Sequence, residues 1–396
     1  MNNYPIISTI VFSTVLAFIL GYVACKLRLP SILGYLAAGV ILSPNTPGIT
    51  ANVEIAQQLA EIGIILLMFE VGIHFSTKDL LQVKNIALIG SLTQMFITMA
   101  ICSAIGYLIG FNIKESIIYG VALSVASTVV MLRQFEQYRL TKKHIAKIAT
   151  GWLITEDIAM IIILFIIPIA LSNFANKNIP NYQILFYDIS ILILKITIFV
   201  LAMITIGKKI LPTMLISIYK TRSRELVSLS ILAIACGFAF VAHSLFGTSF
   251  ALGAFIAGFI LNESKIGSKT IEKSISLRDI FAVLFFVSVG LIFDPHIILS
   301  NPELLLVTVL LIIFLKTLVT FVILKLFRKN TQESLVLAVS FSQIGEFSFI
   351  LVALCSNLNI ISSDMYNLII SGAVISIIIN PFIFKAVIKN FAQAIN

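Results

Sequence analysis

Long apolar runs separated by short polar clusters recur along the whole chain. Breaking the sequence at charged residues and at Pro, Gly and Asn clusters leaves apolar segments from the first residues to the last. A helix needs roughly 20 apolar residues to cross a hydrocarbon core of about 30 Å. We therefore expect an all-α polytopic membrane protein with about thirteen transmembrane helices. The predicted spans lie near 5–25, 30–44, 53–74, 86–110, 114–133, 148–171, 182–206, 225–246, 248–262, 279–293, 303–324, 333–357 and 363–384.

The composition excludes a soluble domain. Of 396 residues, 59% are hydrophobic and 11% are charged, and the mean hydropathy is +1.07. The four cysteines lie in apolar segments without CxxC spacing, so we expect no disulfide, no cofactor and no metal beyond a transported alkali cation. The first segment has no preceding basic residue and no Ala-x-Ala-like site, which indicates a retained helix.

Basic residues predict the orientation. With the N-terminus outside, the inside loops hold 23 Lys and Arg residues and the outside loops hold only Lys114 and Lys177; Lys195 and Lys316 fall within helices. Basic residues in short loops stay cytoplasmic, so the C-terminus is expected inside. The net charge of +9 is thereby explained as a topology signal, and no nucleic-acid partner is expected.

Two sequence pairs indicate an internal repeat. The segment 33–42 matches 252–261 at an offset of 219, and 71–75 matches 289–293 at an offset of 218. This shift of seven predicted spans is odd, so the second copy would be inverted in the membrane, as in alternating-access transporters. We expect repeat one at about 1–171, a linking helix at about 182–206 and repeat two at about 225–391. Chance recurrence of small-residue patterns in a packed helix bundle is the alternative.

The fifth and twelfth predicted spans align under the same offset, and both are unusually polar. Polar segments are tolerated at membrane depth where a helix is broken and its backbone lines a cavity. We expect two crossed, discontinuous helices there, with Glu346 neutralising a positive half-helix end. The lining residues of the crossing are Ser124, Ser127, Thr128, Ser342, Gln343, Gly345 and Glu346.

Ionisable residues inside the membrane are costly and mark candidate functional sites. The adjacent pair Glu156 and Asp157 lies next to the predicted break in the fifth span, and hard carboxylate oxygens suit both an alkali cation and a proton. Lys316 lies too deep in its span to reach the interface, and we expect Asp157 as its counter-ion. A permanent ion pair, or neutralisation of a half-helix end, is the alternative role.

Glu61 and Glu70 are expected as accessory residues on a proton or ion path. Interhelical hydrogen bonds would explain both side chains equally well.

Seven motifs together resemble the membrane domain of the Kef-type and YbaL-like proteins in the second monovalent cation:proton antiporter family. The motifs are PSILGY at 30–35, LAEIG at 59–63, MFEVGIHFS at 68–76, LSVASTVV at 123–130, GWLITED at 151–157, FFVSVGL at 285–291 and GEFSF at 345–349.

The resemblance implies an inverted-repeat sodium/proton antiporter-like fold, a homodimer and elevator-like alternating access in the bacterial inner membrane. It also implies that Asp157 is the ion-binding aspartate and Lys316 its basic partner. The residue before the aspartate varies among relatives between Asp, Gln and Glu, and here it is Glu156. Relatives usually continue into a cytosolic nucleotide-binding domain, whereas this sequence has no GxGxxG after a strand, so we expect none in 1–396.

We therefore expect a secondary antiporter, not an enzyme, that exchanges K⁺ or Na⁺ for H⁺ across the lipid bilayer. Two alternatives are a Kef-type cation efflux channel, in which the same site conducts passively, and an organic-anion symporter of similar fold. The symporter would favour neutral polar residues over the Glu156 and Asp157 pair. A non-transporting sensor has no support in the sequence.

Overall fold

The computed structural model describes residues 4–27, 29–74, 83–141, 143–173, 201–246, 250–262 and 275–393, with isolated positions between 187 and 199. These residues are helical with short connections and contain no β-strand. Parts of the predicted linking helix at 182–206 lie outside them, as do the predicted loops around Lys78, Lys177 and Lys269.

The helices are numbered in chain order. They are α1 (Pro5–Lys26), α2 (Ser31–Ile41), α3 (Val53–His74), α4 (Val83–Leu108), α5 (Ile113–Ser124), α6 (Thr128–Gln137), α7 (His144–Asn173), α8 (Lys208–Lys220), α9 (Arg224–Phe246), α10 (Phe250–Asn262), α11 (Ile275–Ile292), α12 (Pro302–Leu326), α13 (Thr331–Ser340), α14 (Glu346–Asn357) and α15 (Ser363–Gln393). A single helical turn, Ile297–Ser300, precedes α12. Two of the long helices contain a π-helical turn, Ile86–Gly90 in α4 and Leu311–Leu315 in α12.

Six segments within the described residues are long and apolar enough to cross a membrane. They are α1, α4, the α5–α6 pair, α9, α12 and α15. The 22-residue α3 and the 30-residue α7 are also long enough to cross, but they carry the acidic residues singled out above. The number thirteen is therefore not confirmed. The segment Lys208–Lys220 was expected as part of a loop and is instead a helix, because its apolar residues occupy one face between terminal lysines.

The chain divides into two compact units, and each is described by itself. The first unit comprises Met1–Leu80 and Asn178–Leu291, and the second comprises Leu81–Lys177 and Ile292–Asn396. The first unit thus holds α1–α3 and α8–α11. The second holds α4–α7 and α12–α15.

Glycines allow two close helix crossings in the first unit. A Cβ on Gly39 of α2 would lie 2.7 Å from the Cα of Gly290 on α11. A Cβ on Gly258 of α10 would lie 2.0 Å from a backbone oxygen of α3, and one on Gly72 of α3 would lie 2.1 Å from a backbone oxygen of α10. The predicted repeat relates Gly39 to Gly258 and Gly72 to Gly290, so the two crossings have the reciprocal pairing that an inverted repeat requires. The repeat itself stays a prediction.

An apolar core joins the helices of the second unit beneath its two broken spans. Residues of α4, α6, α7, α12, α13 and α15 form it, with the large side chains of Trp152, Phe135, Phe341 and Phe384 fully buried. The half-length helices begin at defined caps: Asn112 and Glu115 form a capping box at α5, and Asn330 caps α13. Ala126 of the first break and Phe341 of the second belong to this core.

Candidate functional site

Two interrupted helices meet inside the second unit. The fifth predicted span breaks at 125–127, between α5 and α6, and the twelfth breaks at 341–345, between α13 and α14. The amide of Gly345 donates to the carbonyl oxygen of Val125 at 3.2 Å. A Cβ on Gly345 would lie only 2.5 Å from the Ala126 oxygen, so the absence of a side chain there is what lets the two breaks touch.

Gln343 joins the two breaks by a two-way amide contact. Its side-chain oxygen accepts from the Ser127 amide at 2.8 Å, and its Nε2 donates to the Ser127 carbonyl oxygen at 3.0 Å. The Ser127 hydroxyl in turn caps α6 by accepting from the Val130 amide at 3.2 Å. Helix ends leave unpaired backbone groups, and these contacts satisfy several of them.

The carbonyl ends of α5 and α13 are also capped by buried side chains. Gln94 of α4 donates to the Ser124 oxygen at 3.1 Å, and Ser348 of α14 donates to the Ala122 oxygen at 2.6 Å. Asn380 of α15 donates to the Val339 oxygen at 2.7 Å and to the Ser342 hydroxyl at 2.9 Å. The crossing is therefore held by polar side chains from the helices around it.

Glu156 of α7 is fully buried and has donors on both oxygens. The Ala126 amide donates to Oε2 at 2.8 Å, and the Trp152 indole N–H donates to Oε1 at 2.9 Å. A carboxyl group with both oxygens occupied by N–H donors is already used as an acceptor for the first break. It has less capacity to bind a cation directly.

Asp157 and Glu346 differ from Glu156 in having unpaired oxygens. Asp157 Oδ2 accepts only a long hydrogen bond from the Thr128 hydroxyl, at 3.4 Å, and Oδ1 has no partner among the described residues. Neither oxygen of Glu346 has a donor in hydrogen-bonding geometry there, although the Ser127 hydroxyl lies nearby. Both side chains are 5% exposed, and they interact electrostatically with each other. Buried, unpaired carboxyl oxygens favour binding of a proton or a cation.

Lys316 follows the π-helical turn of α12 and is fully buried. Its Nζ donates to the Gln343 carbonyl oxygen in the second break at 3.2 Å, and Glu156 is the carboxylate with which it interacts electrostatically. The expected ion pair with Asp157 does not occur within the described residues. Neighbouring residues on a helix point about 100° apart, and the setting of α12 brings Lys316 towards Glu156.

The structure brings together all ten of the predicted residues that belong to the second unit. The accessory candidates Glu61 and Glu70 belong to the first unit, where Glu61 is exposed and interacts electrostatically with His243. Glu70 also takes part in a non-covalent polar interaction. Their role as accessory residues stays a prediction.

Sequence reasoning missed several polar residues around the crossing. Gln94, Gln134 and Asn380 are buried amides, and Gln134 donates to Asn380. Gln94 is a lone amide in an apolar predicted span, which is a signal that a search restricted to charged groups does not detect. Gln134 lies just beyond the predicted span 114–133, next to charged residues. Trp152 is the fourth missed residue, and it lies in the same motif as Glu156 and Asp157, at 151–157.

An all-helical chain with membrane-length apolar helices and a buried charged crossing has the architecture of an ion transporter. The chain matches the family described as sodium/hydrogen exchanger, transmembrane, over residues 14–390. It therefore belongs to the sodium/hydrogen exchanger family.

Individual proteins agree with this assignment. An Escherichia coli (strain K12) protein described as a candidate cation/proton antiporter, YbaL, is 43% identical over 389 residues, which cover 98% of this chain and 70% of that protein. K(+) efflux antiporter 5 of Arabidopsis thaliana is 30% identical and covers 98% of this chain and 68% of its own length. The resemblance to YbaL-like and Kef-type proteins is thus confirmed.

A solved structure supports the fold. The sodium proton antiporter MjNhaP1 from Methanocaldococcus jannaschii superposes with a TM-score of 0.63 at 17% sequence identity. The match covers 97% of this chain and 98% of that one. At this identity the likeness shows the fold alone.

Proposed function

We propose that the protein is a secondary active antiporter that exchanges K⁺ or Na⁺ for H⁺. One observation carries the proposal: Asp157 and Glu346 are buried at the meeting point of two broken helices, with three carboxyl oxygens lacking donors among the described residues. Hard oxygen atoms are the ligands that alkali cations prefer, and carboxyl groups also take protons. The related proteins described as cation/proton and K(+) efflux antiporters support the same exchange.

In this proposal, Asp157 binds the cation or the proton but not both at once. The Thr128 hydroxyl, 3.4 Å from Asp157 Oδ2, and the carboxyl group of Glu346, which interacts electrostatically with Asp157, supply further oxygens. Glu156 maintains the first break and tunes the site without being the main ligand. Lys316 contributes the positive charge that offsets the buried acids when the site holds no cation.

The remaining predictions concern the setting of the protein. We propose a homodimer in the lipid bilayer of a bacterial inner membrane, with thirteen spans in two inverted repeats, the N-terminus outside and the C-terminus inside. The basic-residue distribution supports this orientation. Glu61 and Glu70 are proposed as accessory residues of the first unit.

The test uses purified protein in proteoliposomes with an internal pH dye, challenged with Na⁺, K⁺ and Li⁺ with and without an imposed potential. Wild-type protein should move protons when a cation gradient is applied. Asp157→Asn should abolish this movement, because an amide neither balances the cation charge nor titrates. Asp364→Asn is the matched control, since Asp364 is exposed at the start of α15.

Other outcomes of the same assay separate the alternatives. Cation flux without proton movement would indicate a channel. Proton movement that requires an organic anion would indicate a symporter. Exchange retained in a folded Asp157→Asn variant would overturn the proposed site, with Glu346 the next residue to test.

A further inference from the structure

Trp152 is the only tryptophan of the chain, and it lies beside the crossing, fully buried. It stands four residues before Glu156 on α7, so both side chains leave the same face of the helix. Its indole N–H donates to Glu156 Oε1 at 2.9 Å. Since Glu156 Oε2 accepts from the Ala126 amide, Trp152 is connected to the first break through one carboxyl group.

The indole ring also contacts the second break. Its ring stacks on Phe341, the C-cap of α13, with centroids 5.6 Å apart and an interplanar angle of 25°. Gly90, at the end of the π-helical turn in α4, makes room for the indole. A Cβ at that position would lie 2.5 Å from the indole carbon Cζ3. One side chain is thus held between α4, the first break and the second break.

We propose that Trp152 is a positioning residue that keeps Glu156 as the acceptor for the first break and couples this break to the second. This inference rests on the proposed function, because it assigns the reason why Asp157, and not Glu156, is the main cation ligand. Both oxygens of Glu156 accept hydrogen bonds from N–H donors, so Glu156 does not bind the cation directly. Loss of the indole donor frees Oε1, so an oxygen of a further carboxyl group becomes available at the crossing and cation preference changes.

Core packing alone would explain the burial of Trp152 and its stacking on Phe341. It would not explain why the indole N–H ends on a buried carboxyl group that also holds a helix break. The two explanations differ in what a substitution that removes only the N–H should change. A packing role predicts that transport of every cation slows by the same factor. A positioning role predicts that the ratio of the apparent affinities for Na⁺ and K⁺ changes.

The principal experiment compares Trp152→Phe, Glu156→Gln and the double variant in proteoliposomes, with apparent affinities measured for Na⁺ and K⁺. We expect Trp152→Phe to change the ratio of the two affinities by about threefold or more, within the range of one hydrogen bond. In the Glu156→Gln background the same substitution should leave the ratio unchanged, because the carboxyl group it acts through is gone. An unchanged ratio in Trp152→Phe, with both cations transported equally more slowly, would overturn the proposal.

A second experiment does not depend on transport. Thermal unfolding of the same variants in detergent should show coupling, so that the double variant loses less stability than the two single losses combined. Phe199→Leu serves as the packing control, since Phe199 is a buried aromatic residue of the first unit that contacts the Phe246 ring. It should show no coupling with Glu156→Gln. Additive losses for Trp152→Phe and Glu156→Gln would contradict the positioning role.

The emission of Trp152 gives a direct spectroscopic signature, because no other tryptophan contributes. Glu156→Gln and Phe341→Leu should each shift the emission of the folded protein, whereas Glu303→Gln, at an exposed site, should not. If neither of the first two variants alters the emission, the contacts assigned to the indole are wrong. If wild-type protein shows no exchange at all, the proposed function fails, and the coupling and emission results still decide the role of Trp152.

Discussion

Replacing Gly345 by alanine adds one methyl group where the two helix breaks touch. The Gly345 backbone has φ −94° and ψ 170°, which alanine also adopts, so the effect is steric and not conformational. The new Cβ would lie 2.5 Å from the Ala126 oxygen and 2.9 Å from its carbonyl carbon. Both atoms belong to the backbone, so no side-chain rotation relieves the contact.

The chain has two ways to accommodate this methyl group. Keeping the crossing closed costs about 1–3 kcal/mol, the usual range for overpacking a well-packed site. Opening it by about 1 Å, towards ordinary van der Waals contact, weakens three hydrogen bonds: Gly345 to Val125 and the two between Gln343 and Ser127. Three such bonds contribute about 1.5–4.5 kcal/mol in total. The chain adopts the arrangement with the lower free-energy cost, so we expect a loss of about 1–3 kcal/mol in the free energy of unfolding.

Thermal or denaturant unfolding in detergent measures this loss, and proteoliposome exchange measures its effect on function. Gly237→Ala is the matched control, because Gly237 lies in α9 and a Cβ there would meet nothing within 4 Å. That variant should be as stable as wild type or more stable by up to about 1 kcal/mol. A Gly345→Ala variant that retained full stability and full exchange would refute the close contact of the two breaks.

Three further substitutions or labels test the account. Glu156→Gln should retain exchange with altered voltage dependence or cation preference, and complete loss of transport in a folded variant would contradict this. The same variant should lose about 1–3 kcal/mol of stability in thermal unfolding, because an amide oxygen satisfies only one of the two buried N–H donors. Asn380→Ala should lower the unfolding temperature, because it removes the buried hydrogen bonds of this amide to the Val339 carbonyl, the Ser342 hydroxyl and Gln134, and a wild-type melting curve would contradict this role. Single cysteines at the exposed positions Thr141 and Ser363, introduced into a cysteine-free background, should be labelled by an impermeant reagent from the inside and the outside respectively, and reversed labelling would invert the proposed topology.

The sequence predicted the helix breaks well because their signal is local. Serine, threonine, glutamine and glycine residues within apolar spans are costly in lipid, so their concentration at 124–128 and 342–346 indicated interrupted backbone. The positions agree with the observed ends of α5, α6, α13 and α14. The carboxyl groups at the crossing were found for the same reason, since each is an ionisable residue within a span.

The partners of those groups could not be predicted, because they depend on how each helix is rotated about its axis. Sequence places Glu156 and Asp157 about 100° apart on α7 but does not say which of them faces Lys316. In the structure, Lys316 bonds to the Gln343 carbonyl and interacts with Glu156. The caps formed by Gln94 and Asn380 come from distant helices, and no local pattern links them to the carbonyl groups they satisfy.

The central claim is that one buried carboxyl group, Asp157, binds the cation and the proton in turn. The most direct measurement is the apparent cation affinity of wild-type protein in proteoliposomes as a function of pH. Competition between one cation and one proton predicts that the affinity falls with decreasing pH, towards a limit of about tenfold per pH unit, while saturating cation restores the rate. A cation affinity that stays constant across the pH range in which exchange is active would contradict the claim.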